Sequence, residues 1–558
     1  MRSALRYLLP YRGSLALVLV LSLVSTGFTL AQPMLSRLLV DRALLGKDVR
    51  ALAIIIAAFL VLTGASFVLN VVSGLRYTRV STAMLFDMRR DVFRHLQRLS
   101  PRWFVRTPLG QIAARVNSDI AEIQRVVAEL ALAWVGQVVY LAGSVVLLVL
   151  LDRRLCLVAL SCVPPAVWAT VRYRRRLEGQ VARVRAESAQ VGTWLLDALM
   201  GMRLLVSHNA QARAELEFAR RNGTFVDALL DMKRVSYLAG GLPGVILAIG
   251  AGTVFFYGGW RVIHGTLSLG TLVAFAAYQM RLMSPIQGLM GLYTSLATAR
   301  VSWRRVREIL DAPVDVIEAA HPTPLPQCDG AVHMDGVHYT FDRAPVLTDV
   351  TLHVAAGEQV AVVGPSGIGK STLADLLARH TDPAAGVVRL DGHDVRTLTL
   401  ADVRHHVLVV EGDPYVFHAP LAENLRVAAP DATDAELIAA LDATMLGPWF
   451  AALPQRLQTV LGERGRAMST GERQRLAMAR AVLANPRVVV LDEATGALDA
   501  DTERALFASL ATWFAARTVV CITHRASVAE RFPRVIVVTG TSLTERPVAV
   551  AQLEVAAR

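Results

Sequence analysis

The run Gly364-Pro365-Ser366-Gly367-Ile368-Gly369-Lys370-Ser371-Thr372 has the residue types and spacing to hold a chain of phosphates. Glycine lets the main chain curl and turn its N–H groups inward on phosphate oxygens. The helix that begins there adds the positive end of its dipole. Lys370 supplies a point charge for the β- and γ-phosphates, and the Ser371 hydroxyl supplies an oxygen for Mg2+. Further along, Val488-Val489-Val490-Leu491 ends on Asp492-Glu493, an apolar strand delivering two carboxylates. The combination implies binding and cleavage of ATP. A chance glycine-rich turn is a poor account of the loop, because the apolar run Gln359 to Val363 before it reads as a buried strand.

The half of the chain ahead of that loop carries a different signal. With 558 residues, 54% of them hydrophobic, the chain is too long and too apolar for one soluble domain. Six segments approach the ~20 apolar residues that a spanning helix requires, near 14–35, 52–75, 126–151, 155–171, 235–262 and 267–294. Between them, Arg76 to Arg125 and Arg172 to Arg234 are long, helix-forming and rich in arginine, which by the positive-inside tendency makes them cytoplasmic. Only Ser36 to Arg50 breaks the pattern, with basic residues on the opposite side. The expected architecture is an all-α six-helix transmembrane domain over 1–310 with long cytoplasmic helical extensions. A proline-rich linker follows over 311–326, and an α/β phosphate-loop domain over 327–558, where short β-type runs alternate with helices.

Net charge of +12 raises the question of nucleic acid. The excess is spread over the extensions and the span edges, with no aromatic-rich basic motif for base stacking, so anionic lipid is the expected contact and nucleic acid is not. Cys156, Cys162, Cys328 and Cys521 suit neither zinc nor a disulfide framework and read as small buried residues. Arg2, Arg6 and Arg12 resemble the charged start of a signal peptide, but the apolar run that follows is too long and carries Gln32-Pro33 rather than a cleavage site. The few residues ahead of that run leave no room for a leader-peptide protease.

Taken together, the phosphate loop, Asp492-Glu493, Leu461-Gly462-Glu463-Arg464-Gly465, Met468-Ser469-Thr470-Gly471-Glu472-Arg473-Gln474, Ala497-Leu498-Asp499 and Ile522-Thr523-His524-Arg525 resemble the ATP-binding cassette transporters, specifically half-transporters of the exporter fold. The resemblance covers essentially the whole chain. It implies that Asp492 holds Mg2+ through its water shell, that Glu493 polarises the attacking water, and that His524 contacts the γ-phosphate. It implies further that Phe341, or else Tyr339, stacks on the adenine, and that Ser469, Gly471 and Asp499 complete nucleotide contacts. In that family two such domains close head to tail, each ATP lying between one phosphate loop and the other subunit's signature segment, so a second half-transporter is expected as partner.

Two positions depart from the family pattern. Thr470 stands where the family has glycine in its signature, placing a β-branched side chain where the main chain approaches the partner's γ-phosphate. In Val409-Val410-Glu411-Gly412-Asp413-Pro414 the family's glutamine falls at Gly412, so either Glu411 substitutes or the contact is absent. An intact phosphate loop with an altered signature resembles the catalytic half of an asymmetric heterodimer. A homodimer of reduced activity is the rival.

Phe104 to Gln111 with Asn117 to Asp119, and Leu199 to His208, are similar to the family's two coupling regions. An ionisable residue inside a span is a functional candidate, which singles out Arg281 and Glu129 for cargo or gate contact, with a helix-packing or interfacial role as the alternative for Arg281. The expected function is ATP-driven export of an amphiphile (lipid, peptide or drug-like) across a bacterial inner membrane. An importer of siderophore-like cargo and a nucleotide-gated regulator or channel are the alternatives.

Overall fold

The computed structural model describes residues 6–341, 344–365, 367–462 and 468–546, and within its helices the side chains of 127–133, 283, 290–294 and 297 fall outside the description. The chain divides into two compact units. One comprises Met1–Arg94 with Gly110–Leu310, and the other His95–Leu109 with Asp311–Arg558.

The first unit is helical. Among the described residues, five helices are long and apolar enough to cross a membrane. Val49–Leu96, with 48 residues, is about 70 Å long at 1.5 Å per residue. That far exceeds the ~30 Å hydrocarbon layer, so the arginine-rich stretch after the apolar part continues the same helix. Val163–Met200 and Gln211–Ile263 are built alike and pack against each other. Apolar side chains such as Ile54, Val61, Phe67 and Phe256 point outward, a surface that suits lipid and would be costly in water.

The sixth apolar segment forms two helices, Leu269–Arg281 and Met283–Leu310, broken at Leu282. Pro285 explains the break: it has no N–H to donate to the carbonyl of Arg281 and its ring disfavours continuous helix. At the other end, Ser268 caps Leu269–Arg281 by accepting from Thr271 N, and Asp41 accepts from Gly270 N at 2.7 Å.

The second unit is α/β. A four-stranded antiparallel sheet has the order β2-β1-β4-β5, with β1 Val332–Phe341, β2 Ala344–Val354, β4 Ala385–Leu390 and β5 His393–Asp394. A six-stranded sheet has the order β10-β9-β3-β8-β7-β6. Its members are β3 Gln359–Val363, β6 Val407–Glu411, β7 Val488–Asp492, β8 Thr518–Thr523, β9 Arg534–Thr539 and β10 Ser542–Arg546. All its pairings are parallel except β9 with β10.

The central strands are apolar through their middles because both faces are covered. Val360, Val362, Val488, Val490, Val520 and Ile522 enter one core, while Ala361, Val363, Val489, Leu491, Val519 and Cys521 enter the other. A third, helical core around Leu425, Leu437, Phe450 and Leu476 supports the helix Thr470–Ala484. Parallel strands all end on the same edge, so β3, β7 and β8 deliver Gly364, Asp492-Glu493 and Thr523-His524 side by side.

Candidate nucleotide site and membrane cavity

Between β3 and the helix Lys370–Leu377, Gly369 takes φ +105°, and a Cβ there would fall 2.6 Å from Val346 Cγ1. Only glycine fits this turn. Lys370 is buried, its Nζ donating to the carbonyls of Gly364 and Pro365 at 2.8 Å each. Burial pushes its pKa below the ordinary lysine value, against the pull of Glu493 and Asp492.

Asp492 closes β7 facing the loop, where the nearby Ser371 hydroxyl favours its charged form. Burial raises its pKa, with Glu493 and Asp375 adding to the rise. Glu493 follows at φ +52°, a left-handed conformation uncommon for a side-chain-bearing residue. Its N–H donates to Ile522 O, and its Oε1 lies 3.2 Å from His524 Nδ1. Lys370, Ser371, Thr372, Asp492, Glu493 and His524 thus line one cleft of about 760 Å³, together with Gly367 and Gly369.

Other expected site residues sit elsewhere. Ser366 lies outside the described residues. Phe341, at the end of β1, is half-exposed. Ser469 and Gly471 open the helix Thr470–Ala484, where Ser469 Oγ accepts from Glu472 N and the Glu472 carboxylate accepts from Ser469 N, a capping box. Asp499 caps the helix Ala500–Ser509 by accepting from Thr502 N at 2.9 Å, and does not line the cleft. Thr470 is exposed and accepts from Arg473.

The departure near β6 acquires a geometry. Glu411 pairs in register with Asp492, but Gly412 and Asp413, not Glu411, line the cleft. Burial raises the Glu411 pKa, opposed by His380 and reinforced by Asp375 and Asp492.

Sequence reasoning passed over Gln474. Its side chain is buried, with Nε2 donating to Gly412 O at 2.7 Å and Oε1 accepting from Ala497 N at 3.0 Å. The signal for it was a polar residue on the inward face of an amphipathic helix. Arg102 was passed over too, being one arginine among many.

In the helical unit a separate cavity of about 830 Å³ opens between four segments. Its lining is mainly hydroxyls and amides, including Thr26, Gln32, Asn70, Gln137 and Tyr140, with Arg281 as the one charged residue among the described lining. Arg281 donates to Gln32 Oε1 at 3.3 Å. Gln137 Oε1 and Tyr140 OH are buried without a hydrogen-bond partner. The side chain of Glu129 lies outside the described residues.

Residues 15–286 match the family model described as the ABC transporter transmembrane region, and residues 347–496 match the one described as ABC transporter. The chain is 30% identical to the ATP-dependent lipid A-core flippase of Thiobacillus denitrificans over 97% of its length and 94% of the flippase. It is 31% identical to the multidrug efflux ATP-binding/permease protein Rv0194 of Mycobacterium tuberculosis, over 97% of this chain and 45% of that longer protein. Among solved structures, a bacterial Atm1-family ABC exporter with ATP bound superposes with a TM-score of 0.79 at 25% identity, covering 97% of this chain and 96% of that one.

The chain therefore belongs to the ATP-binding cassette transporter family, in its exporter form. It is a multi-pass membrane ATPase that couples hydrolysis to export. Carrying one membrane region and one cassette, it acts as half of a dimer.

Proposed function

We propose that this chain is the hydrolysing half of an asymmetric pair of half-transporters in a bacterial inner membrane, and that it exports an anionic amphiphile. The observation that carries the pairing is the coexistence of the ordered Lys370, Ser371, Asp492, Glu493 and His524 cluster with Thr470 in the signature segment. ATP held by this chain meets the partner's signature, and Thr470 weakens only the opposite site.

Ser371 and Asp492, two hard oxygen donors lining one cleft, suit Mg2+, which takes few protein ligands and keeps several waters. The ion would neutralise charge developing on the phosphates. Glu493 orients and deprotonates the attacking water, His524 holds the Glu493 carboxylate in line, and Lys370 binds the phosphates. Phe341 supplies an aromatic face for adenine.

For the cargo, Leu269–Arg281 and Met283–Leu310 together act as the sixth span. A lone cation in a cavity of hydroxyls and amides favours an anionic head group, with unpaired Gln137 and Tyr140 as further polar contacts. The outward apolar helices give the cargo's tail a route through lipid. Steady-state ATPase activity in lipid nanodiscs tests the pairing, with Glu493→Gln as the blank. Activity at the blank, recovered only with a co-expressed second half-transporter, supports the asymmetric pair. Full activity of the chain alone means a homodimer that tolerates Thr470. Stimulation by anionic amphiphiles that disappears in Arg281→Ala supports the cargo reading, and equal stimulation by cationic ones contradicts it.

A further inference from the structure

The segment His95–Leu109 packs with the cassette unit, and two of its side chains reach the nucleotide end of that unit. Its helix Pro101–Arg106 carries Arg102 and Arg106 four residues apart, on one face. Arg102 Nε donates to Asp375 Oδ2 at 3.2 Å, and Nη2 donates to Thr372 Oγ1 at 3.1 Å. Thr372 and Asp375 both belong to the helix Lys370–Leu377 that opens with the phosphate-loop lysine. The Arg102 guanidinium also lies 4.4 Å from the Tyr339 ring centroid, and Arg106 lies 4.5 Å from that of Phe341. Arg102 Nη1 is buried without a hydrogen-bond partner, so the aromatic face is what compensates its desolvation.

We propose that Arg102 and Arg106 form a cationic clamp through which ATP occupancy is transmitted to the first coupling segment. The chain has a specific reason to need such a link. The loop after β6, which joins nucleotide site and membrane region through a glutamine in the family, has Gly412 at that place, and Gly412 has no side chain to transmit anything. The clamp approaches from the opposite direction, from the coupling segment onto the site. Thr372 adjoins Ser371, so drawing the phosphate-loop helix onto phosphate moves the Arg102 anchor. Arg106 covers one face of Phe341, leaving the other for adenine, and a purine stacked there completes a guanidinium–ring–purine sandwich. Neither arginine touches the reacting atoms. Both are positioning residues, and their helix continues covalently from Val49–Leu96.

Hydrogen exchange with mass-spectrometric readout on the full-length Glu493→Gln chain in nanodiscs, with and without Mg-ATP, tests the clamp. In the unsubstituted clamp, Mg-ATP slows exchange both in the phosphate-loop peptide and in residues 95–109. With Arg102→Ala and Arg106→Ala together, the phosphate-loop peptide keeps its ATP protection while 95–109 loses it. Arg102→Lys, which keeps the charge opposite Asp375 but not the two-pronged reach, shows an intermediate loss, and it decides the matter if the alanine variant does not fold. In the hydrolysing complex, Arg106→Ala raises the KM for ATP about 2- to 30-fold, the range of a desolvated cation–π contact. Three results overturn the clamp: ATP protection of 95–109 that survives both substitutions, none in the unsubstituted clamp, or fast exchange of 95–109 in the variant already without ATP, which marks a purely structural tie. Absence of ATP protection at the phosphate loop itself overturns the nucleotide reading on which the clamp rests, and the clamp with it.

Discussion

A Cβ placed on Gly412 would lie 2.9 Å from the carbonyl oxygen of Glu493, so the main chain leaving β6 presses on the main chain that holds the Glu493 carboxylate. Glu493 sits at φ +52°, and any side chain at 412 must displace one strand end or the other. Restoring the family residue by Gly412→Gln is therefore expected to slow the enzyme. Displacing Glu493 by a fraction of an ångström to 1 Å lowers kcat about 10- to 100-fold. Steady-state ATPase assays of the hydrolysing complex check this, with Gly412→Ala, which brings the same contact without the amide, falling in parallel. A faster Gly412→Gln enzyme would show that the crowding is relieved.

The carboxylate itself is the next test. With Glu493 as the proposed base, Glu493→Gln lowers turnover by about 10²- to 10⁴-fold, while ATP remains bound because Lys370 and the loop are untouched. His524→Ala leaves the carboxylate present but loses the group 3.2 Å from its Oε1. Its expected loss in kcat is smaller than that of Glu493→Gln. Equal losses, with ATP binding retained, would make His524 as essential as the base.

Gln474 bridges two loops from inside the protein, and Gln474→Leu leaves both Gly412 O and Ala497 N without their partner. A buried polar group left unpaired costs about 1–3 kcal/mol, which thermal unfolding of the full chain detects as a lowered Tm. Gln474→Glu keeps an acceptor for Ala497 N but sets a carboxylate against the Gly412 carbonyl. It should be no more stable than the leucine variant, and recovery of the wild-type Tm by Gln474→Glu would contradict the assigned donor and acceptor.

Asp391 gives a pH dependence with a definite sign. Burial alone would raise its pKa, but the Cys328 thiol and the main-chain N–H groups of Ala331, Gly330 and Asp329 outweigh it, and the net value lies below the ordinary one. A depressed carboxylate contributes stability that is fully present above the unfolded-state pKa of about 4 and is lost as pH falls through the folded value. The stability of the cassette unit should thus decline below pH ~4, and Asp391→Asn should flatten that part of the profile. Unfolding midpoints followed from pH 7 to pH 3 measure it, and an identical acid limb in the variant would remove Asp391 from the account.

Much of the architecture was legible in the chain. A strand buried on both faces must be apolar where it is buried, and Val360 to Val363 and Val488 to Leu491 are. The arginine-rich stretch after 75 reads as an extension of the preceding span, and Val49–Leu96 is indeed one continuous helix. The sixth apolar segment was less transparent. Its hydropathy says span, whereas the break at Leu282 follows from a single proline whose effect reaches back four residues to the carbonyl of Arg281.

By itself the sequence determined the glycine turn before Lys370, the two carboxylates after β7 and the helical character of the apolar half, because each depends on local spacing: a glycine turn, a strand end, a run of apolar residues. Only the tertiary structure decided that Gly412 lies against Glu493, that Gln474 joins the loops of Gly412 and Ala497, and that Arg102 reaches Thr372 and Tyr339 across more than two hundred residues of chain. Such contacts have no period or motif. They arise when parallel strands bring their ends to one edge and a distant helix packs there, and a lone glutamine or arginine carries no sign of the neighbour it will meet.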